Sequence, residues 1–269
     1  MEMVMTRIAF VTGSTGGIGA AVCQRLVKNG YTVIAHGRNA ERLRMLRDAA
    51  TQHILPLQFD ICDSQAKWLA CLVECFDYYQ IASPRIDALV CCHGEQPVTT
   101  PSLQLSVTHE FLPLFAVDVV GAFLAAQSIA PYMIRQQSGS ITFISSIHAH
   151  QTYPSRAPYT AAKAAVSSMA RSLALEWGRY GIRVNSVLPW QVDGERTRRL
   201  SYKAEQETGQ DIIEKYLTRS PIQKLITEDE VADAVMFLIN NHGMNGSEII
   251  LDGGVSASMW YESYTGGDK

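Results

Sequence analysis

Short apolar runs recur along the whole chain, and helix-patterned stretches separate almost every pair of them. The runs are Ile8–Val11, Thr32–Ala35, Ile54–Phe59, Ala88–Cys91, Ser140–Ser145, Arg183–Leu188 and Glu248–Leu251. Each is rich in Val, Ile, Leu or Phe, the composition of strands buried on both faces. Between them lie periodic segments such as Ala20–Asn29, Glu41–Ala49, Gln65–Tyr78 and Ala161–Arg179. This alternation implies right-handed crossovers and one parallel sheet covered by helices. The chain contains no repeat and no Pro/Gly-rich linker, so residues 1–269 read as a single α/β domain. A 47% hydrophobic content supplies the core and excludes a disordered chain.

Several partners are disfavoured at once. With 26 acidic and 23 basic side chains, a net charge of -3, the chain has no bulk attraction for nucleic acid or an anionic membrane. Met1–Arg7 is too short for a signal peptide. Phe111–Ile134 is apolar enough to suggest a membrane span, but Pro113, Asp118, Gln127 and Pro131 interrupt it, and a buried helix is the better reading. Cys23, Cys62, Cys71, Cys75, Cys91 and Cys92 form no CxxC pair and read as reduced, mostly core thiols of a cytoplasmic protein. His148 and His150 have no third ligand at a suitable spacing, so no metal site is expected. One stretch, Pro189–Ser220, breaks the alternation with charged residues; residues 190–220 read as a substrate lid, the alternative being a solvated helix pair.

Thr12-Gly13-Ser14-Thr15-Gly16-Gly17-Ile18-Gly19 follows the first strand run and opens a helical pattern. Glycines there let the chain turn sharply and let a pyrophosphate approach the free N–H groups of the helix start. No Gly-Lys-Ser/Thr follows, which favours a dinucleotide over ATP. After the second run comes His36-Gly37-Arg38-Asn39. Gly37 lacks the carboxylate that would bind both ribose hydroxyls of NAD, while Arg38 offers a planar cation for a 2′-phosphate; NADP(H) is therefore expected over NAD(H). Asp60 either faces the adenine or caps the next helix.

Tyr159 and Lys163 are four apart on an expected helix and share a face. The lysine charge favours the phenolate, suiting the tyrosine to exchange a proton with a carbonyl or alcohol oxygen. Ser146, at the end of the fifth run, supplies a hydroxyl for the same oxygen. Together with Arg183-Val184-Asn185, Pro189 and Asp252-Gly253-Gly254, these motifs resemble the short-chain dehydrogenase/reductase family from about Arg7 to Gly254. The resemblance implies a Rossmann-type doubly wound sheet of seven parallel strands, a nicotinamide cofactor and a homo-oligomer, tetramer or dimer. It makes Tyr159 the general acid/base, Ser146 the group that polarises the substrate oxygen, and Lys163 the ribose-binding partner of the tyrosine, with Asp118 in the proton relay. Cofactor contacts carry over to Gly13, Ser14, Thr15, Gly17, Ile18, Gly19, Arg38, Asp60, Ile61, Cys92, His93, Gly94, Tyr159, Lys163 and Val192.

Departures from that family pattern matter as much. Cys91-Cys92-His93-Gly94 stands where Asn-Asn-Ala-Gly is usual, and His93 either contacts substrate or fills a tolerant loop. Asp118 replaces a common asparagine, Trp190 a glycine, and Gly194 a threonine. His148, Gln151 and Trp190, with His150 and Arg156 nearby, form a polar substrate wall. Arg196, Arg198 and Arg199 either extend it towards an anionic substrate or are solvated surface. The reading is an NADPH-dependent oxidoreductase acting on a small polar ketone or secondary alcohol. The alternatives are a 3-oxoacyl thioester reductase and a retuned or inactive NADP-binding protein with a regulatory role. Met259, Trp260, Tyr261 and Tyr264, in the tail at 255–269, suit either pocket closure or a subunit contact.

Overall fold

The computed structural model describes residues 7–50, 53–95 and 97–257. The aromatic tail from residue 258 onward and the N-terminal stretch before Arg7 lie outside the described residues. The strands are β1 (Arg7–Thr12), β2 (Tyr31–Gly37), β3 (Ile54–Gln58), β4 (Ala88–Cys91), β5 (Gly139–Ile144), β6 (Ile182–Pro189), β7 (Val192–Asp193), β8 (Ile226–Thr227) and β9 (Glu248–Leu251). Seven of them form one parallel sheet in the order β3-β2-β1-β4-β5-β6-β9. The order reverses between β1 and β4, which opens a crevice at their carboxyl ends. This is the Rossmann-type sheet expected from the apolar runs, with strand ends within one or two residues of them.

The helices are α1 (Gly17–Lys28), α2 (Ala40–Ala50), α3 (Gln65–Tyr78), α4 (Leu112–Phe115), α5 (Gly121–Gln136), α6 (Ala157–Trp177), α7 (Glu195–Thr208), α8 (Ile212–Arg219) and α9 (Glu228–Asn240). Successive strand residues point to opposite faces, so the sheet serves two cores. Phe10 packs with Trp68, Leu72, Ile129, Phe143 and Val166 on the face covered by α3, α5 and α6. Val11 packs with Leu26, Leu43, Val90, Val231 and Val235 on the face covered by α1, α2 and α9. Both α1 and α6 begin earlier than their apolar periodicity suggests. Polar or glycine first turns need no apolar stripe, and Pro158 fits the first turn of α6 because its missing N–H has no partner there anyway.

Val107–Gln136 is long and apolar enough to cross a membrane, yet it serves as a core helix on one side. Ala122, Ala125, Ala126, Ile129 and Met133 are buried. The expectation of a buried helix holds only for that face, since Leu112, Val120 and Phe123 are exposed. Two wide π-type turns, Val107–Phe111 and Ala116–Val120, flank α4, and the second carries Asp118. The polar insertion after β6 folds as α7 and α8. They are bracketed by the short β7–β8 pair, in which Val192 faces Ile226.

Candidate active site

The glycine loop is built by close backbone approach. Gly13 has φ +64, and a Cβ there would lie 2.6 Å from the His93 backbone. A Cβ on Gly19 would collide with the Gly13 carbonyl. Larger residues at either position would push β1, α1 and the loop after β4 apart. Ser14 turns inward, its N–H (3.0 Å) and Oγ (2.9 Å) both donating to the His36 carbonyl. The place at Gly37 is not empty, because a Cβ there would meet Thr15 at 3.0 Å. A side chain at Gly37 would require Thr15 to give by a few tenths of an ångström. Thr15 and the start of α1 remain as a cradle suited to a dinucleotide phosphate.

One residue intrudes on that cradle. The Glu228 carboxylate, at the start of α9, lodges where Cβ atoms on Gly17 and Gly194 would stand. Burial pushes the Glu228 carboxyl above its ordinary value, opposed by the Arg198 charge. Residues of the loop thus fit the cofactor, provided that Glu228 swings aside. Nearby, exposed Arg38 lies 3.8 Å from Asp60 and 3.5 Å from Glu95. Asp60 does not cap α3; that role falls to Ser64, which accepts from the Lys67 N–H, while Asp60 accepts from the Cys62 N–H at 2.9 Å. Ile61 is buried against Gly121.

Hydrogen bonds fasten the helix bearing Tyr159 and Lys163 to Ser145, directly after β5 and next to Ser146. Ser145 Oγ donates to the Lys163 carbonyl at 2.9 Å, and Ser167 Oγ to Ser145 Oγ at 3.0 Å. The Lys163 ammonium lies 2.9 Å from Asp118, 3.5 Å from the Ile144 carbonyl and 5.5 Å from the Tyr159 ring centre. Burial pulls Lys163 down, but Asp118 and then Tyr159 outweigh it and hold the ammonium above the ordinary lysine value. Asp118 also accepts the Glu95 N–H at 2.7 Å. The aspartate therefore acts as a buried counter-ion, a role asparagine does not fill. Ser146 Oγ accepts from the His148 N–H at 3.3 Å and donates to the Pro189 carbonyl at 3.4 Å.

The substrate wall is only partly the one expected. His148 packs edge-on to Tyr159 (5.4 Å) and Tyr153 (5.3 Å). Burial, aided by Arg156, lowers its pKa to about 4, so the imidazole is neutral at pH 7. Trp190 donates to the Tyr153 hydroxyl at 3.3 Å and meets Tyr216 edge-on at 5.8 Å. Gln151 is exposed and donates to the Ser256 carbonyl, while His150 pairs with Glu248. Of the three insertion arginines, Arg198 is exposed and paired with Asp193, Arg199 is exposed, and only Arg196 reaches the site, donating to the Glu95 carbonyl at 2.9 Å. His93 hydrogen-bonds Thr12 at 2.6 Å and faces Gly121, and burial lowers its pKa to about 3. It forms floor beneath the loop. The Cys92 N–H donates to the Thr12 carbonyl, and burial raises its thiol well above the ordinary range. Val192 sits in β7, with its carbonyl accepting from Thr197.

Comparison with known proteins decides the family. A family model described as short chain dehydrogenase matches residues 7–205. The chain belongs to the short-chain dehydrogenase family. Over 264 residues it is 30% identical to 2-(R)-hydroxypropyl-CoM dehydrogenase of Xanthobacter autotrophicus, covering 94% of this chain and 100% of that protein. It is also similar to the structure of a gluconate 5-dehydrogenase from Burkholderia cenocepacia in complex with NADP and tartrate. The TM-score is 0.80, with 28% identity and coverage of 94% of this chain and 96% of that one. An NAD+-bound xylitol dehydrogenase shares the fold, with TM-score 0.84, 21% identity and coverage of 94% and 100%.

Among the residues around this dehydrogenase site, Tyr153, Tyr216 and Glu228 escaped the sequence reading. They enter from distant segments, and no local pattern marks them.

Proposed function

We propose that this short-chain dehydrogenase transfers hydride between NADP(H) and a small polar ketone or secondary alcohol. The observation that carries the reading is the fastening of Lys163 to β5 through Ser145, beside Ser146 and under the Tyr159 ring. The nicotinamide, when bound, supplies or accepts the hydride. Tyr159 gives a proton to the substrate oxygen in reduction and takes one in oxidation. Ser146 donates a hydrogen bond to that oxygen as charge develops on it, exchanging its contact with Pro189. Lys163, kept charged by Asp118, stabilises the phenolate side of the exchange and holds the ribose. Gly13 and Gly19 keep the loop tight against the protein backbone, and Gly17 and Ile18 begin the helix whose N–H groups would receive the phosphates.

Support for NADP(H) comes from exposed Arg38 and from the lack of a carboxylate at Gly37. The polar surroundings of His148 and Arg156 favour a polar substrate over an acyl thioester. Exposed Leu112, Val120 and Phe123 support a homo-oligomer, and six free cysteines a cytoplasmic setting. The test is fluorescence titration with NADPH and NADH, followed by a substrate screen with Tyr159→Phe alongside. NADPH is expected to bind more tightly than NADH, and the variant to lose about 100- to 10,000-fold in kcat. Tighter NADH binding would overturn the cofactor preference; turnover surviving in Tyr159→Phe would overturn the proton-transfer role.

A further inference from the structure

Several arginines near the surface, Arg25, Arg42 and Arg171 among them, carry a carboxylate partner. Arg156 does not. Among the described residues its polar contacts run from Nη1 alone, to the carbonyls of Pro97 (3.3 Å) and Val98 (3.4 Å). Nε and Nη2 are left to donate elsewhere, although the side chain is half-buried. A guanidinium withdrawn from water without a counter-ion is unfavourable unless a ligand supplies the anion. Its planar fork matches a carboxylate in bidentate geometry.

Position then says which ligand. Arg156 is the N-cap residue of α6, three residues before Tyr159 and seven before Lys163, so it stands at the end of the helix that carries both. A small molecule whose oxygen meets Tyr159 would reach Arg156 with a group a few bonds away. The Arg156 charge is also felt at His148, which packs on Tyr159, and at Tyr216, which packs on Trp190. The cation thus belongs to the same corner as the proton-transfer residues. Arg219, stacked 5.8 Å over the Tyr153 ring, adds a second positive group at its rim.

We propose that Arg156 anchors the anionic end of the substrate, which is a small oxo acid or the matching hydroxy acid. This rests on the hydride-transfer reading above and narrows its substrate class. The test is tryptophan-fluorescence titration of the full chain with acetoacetate and 4-oxopentanoate, each against its neutral amide, with and without saturating NADP+. The wild type is expected to bind an acid at least about 10-fold more tightly than its amide. Arg156→Met should bring the pair within about threefold at unchanged NADP+ affinity, and Arg156→Lys should fall between. Equal binding of acid and amide by the wild type would overturn the proposal, as would an acid preference that survives in a folded Arg156→Met. If Arg156→Met does not fold, Arg156→Lys decides: an undiminished preference there refutes the bidentate anchor. Acid preference without NADPH oxidation supports the anchor and refutes hydride transfer. Oxidation of NADPH by acid and amide alike, with no preference in binding, does the reverse.

Discussion

Replacing Asp118 by asparagine removes one charge from the buried centre of the site. The carboxylate lies 2.9 Å from the Lys163 ammonium, with side-chain exposures of 0% and 7%. Asparagine can still accept the Glu95 N–H, but it leaves the ammonium without a counter-ion. Breaking a buried pair by removing one partner costs about 3–5 kcal/mol, and the retained amide dipole brings the expected loss nearer ~2–3 kcal/mol at neutral pH. In the wild type, Lys163 is held above its ordinary value. Its contribution is therefore fully present below the unfolded lysine value of ~10.4 and lost only as pH rises through the folded one. In Asp118→Asn, burial is no longer outweighed, and the folded lysine releases its proton before the unfolded chain does. Stability of the variant should then rise with pH, by up to ~1.4 kcal/mol per unit, where the wild type stays flat. Urea unfolding followed by tryptophan fluorescence at about pH 7, 8.5 and 10 reads both slopes. The alkaline limb of the pH–rate profile should move down by about two units, the same free energy expressed as proton release. Parallel stability curves with an unchanged profile would place Asp118 outside the relay and refute the counter-ion argument.

Glu228→Ala should open the phosphate cradle and raise NADP+ affinity by about 5- to 10-fold, since a carboxylate repels the phosphates it must yield to. Wild-type affinity should increase as pH falls and protonates Glu228, whose carboxyl is raised by burial; the variant should lose that component. Isothermal titration with NAD+ and NADP+ at about pH 5.5 and 8 checks both, and unchanged affinity at both would show that Glu228 leaves the cradle freely. Arg183 donates to the carbonyls of Leu238 (2.6 Å), Ile239 (2.8 Å), Asn241 (2.8 Å) and Met244 (3.2 Å), closing the end of α9. Arg183→Ala leaves those acceptors without their cation and should cost about 3 kcal/mol in urea unfolding; a loss under about 0.5 kcal/mol would mean that water replaces it.

Much of the architecture was written locally. Ala88–Cys91 matches the observed strand residue for residue because all four residues are buried and no polar residue interrupts the run, while Glu248–Leu251 matches as an edge strand with Ile250 exposed. Gln65–Tyr78 matches because Ser64 caps its first turn. The Tyr159–Lys163 pair was legible because helical spacing alone puts the two on one face. His93 was not: whether it meets substrate or floor depends on Thr12 at the end of another strand. The three insertion arginines looked alike as text, yet Asp193 pairs with one and the Glu95 carbonyl draws another into the site.

By itself the sequence determined the sheet, the glycine loop and the serine–tyrosine–lysine set, since periodicity and short-range spacing act along the chain. Only the tertiary structure decided that Asp118 is the counter-ion of Lys163, that Glu228 packs against Gly17 and Gly194, and that Arg156 has no carboxylate partner among the described residues. Those three outcomes depend on which distant segments share a buried space, and charges in such a space are governed by their neighbours in three dimensions.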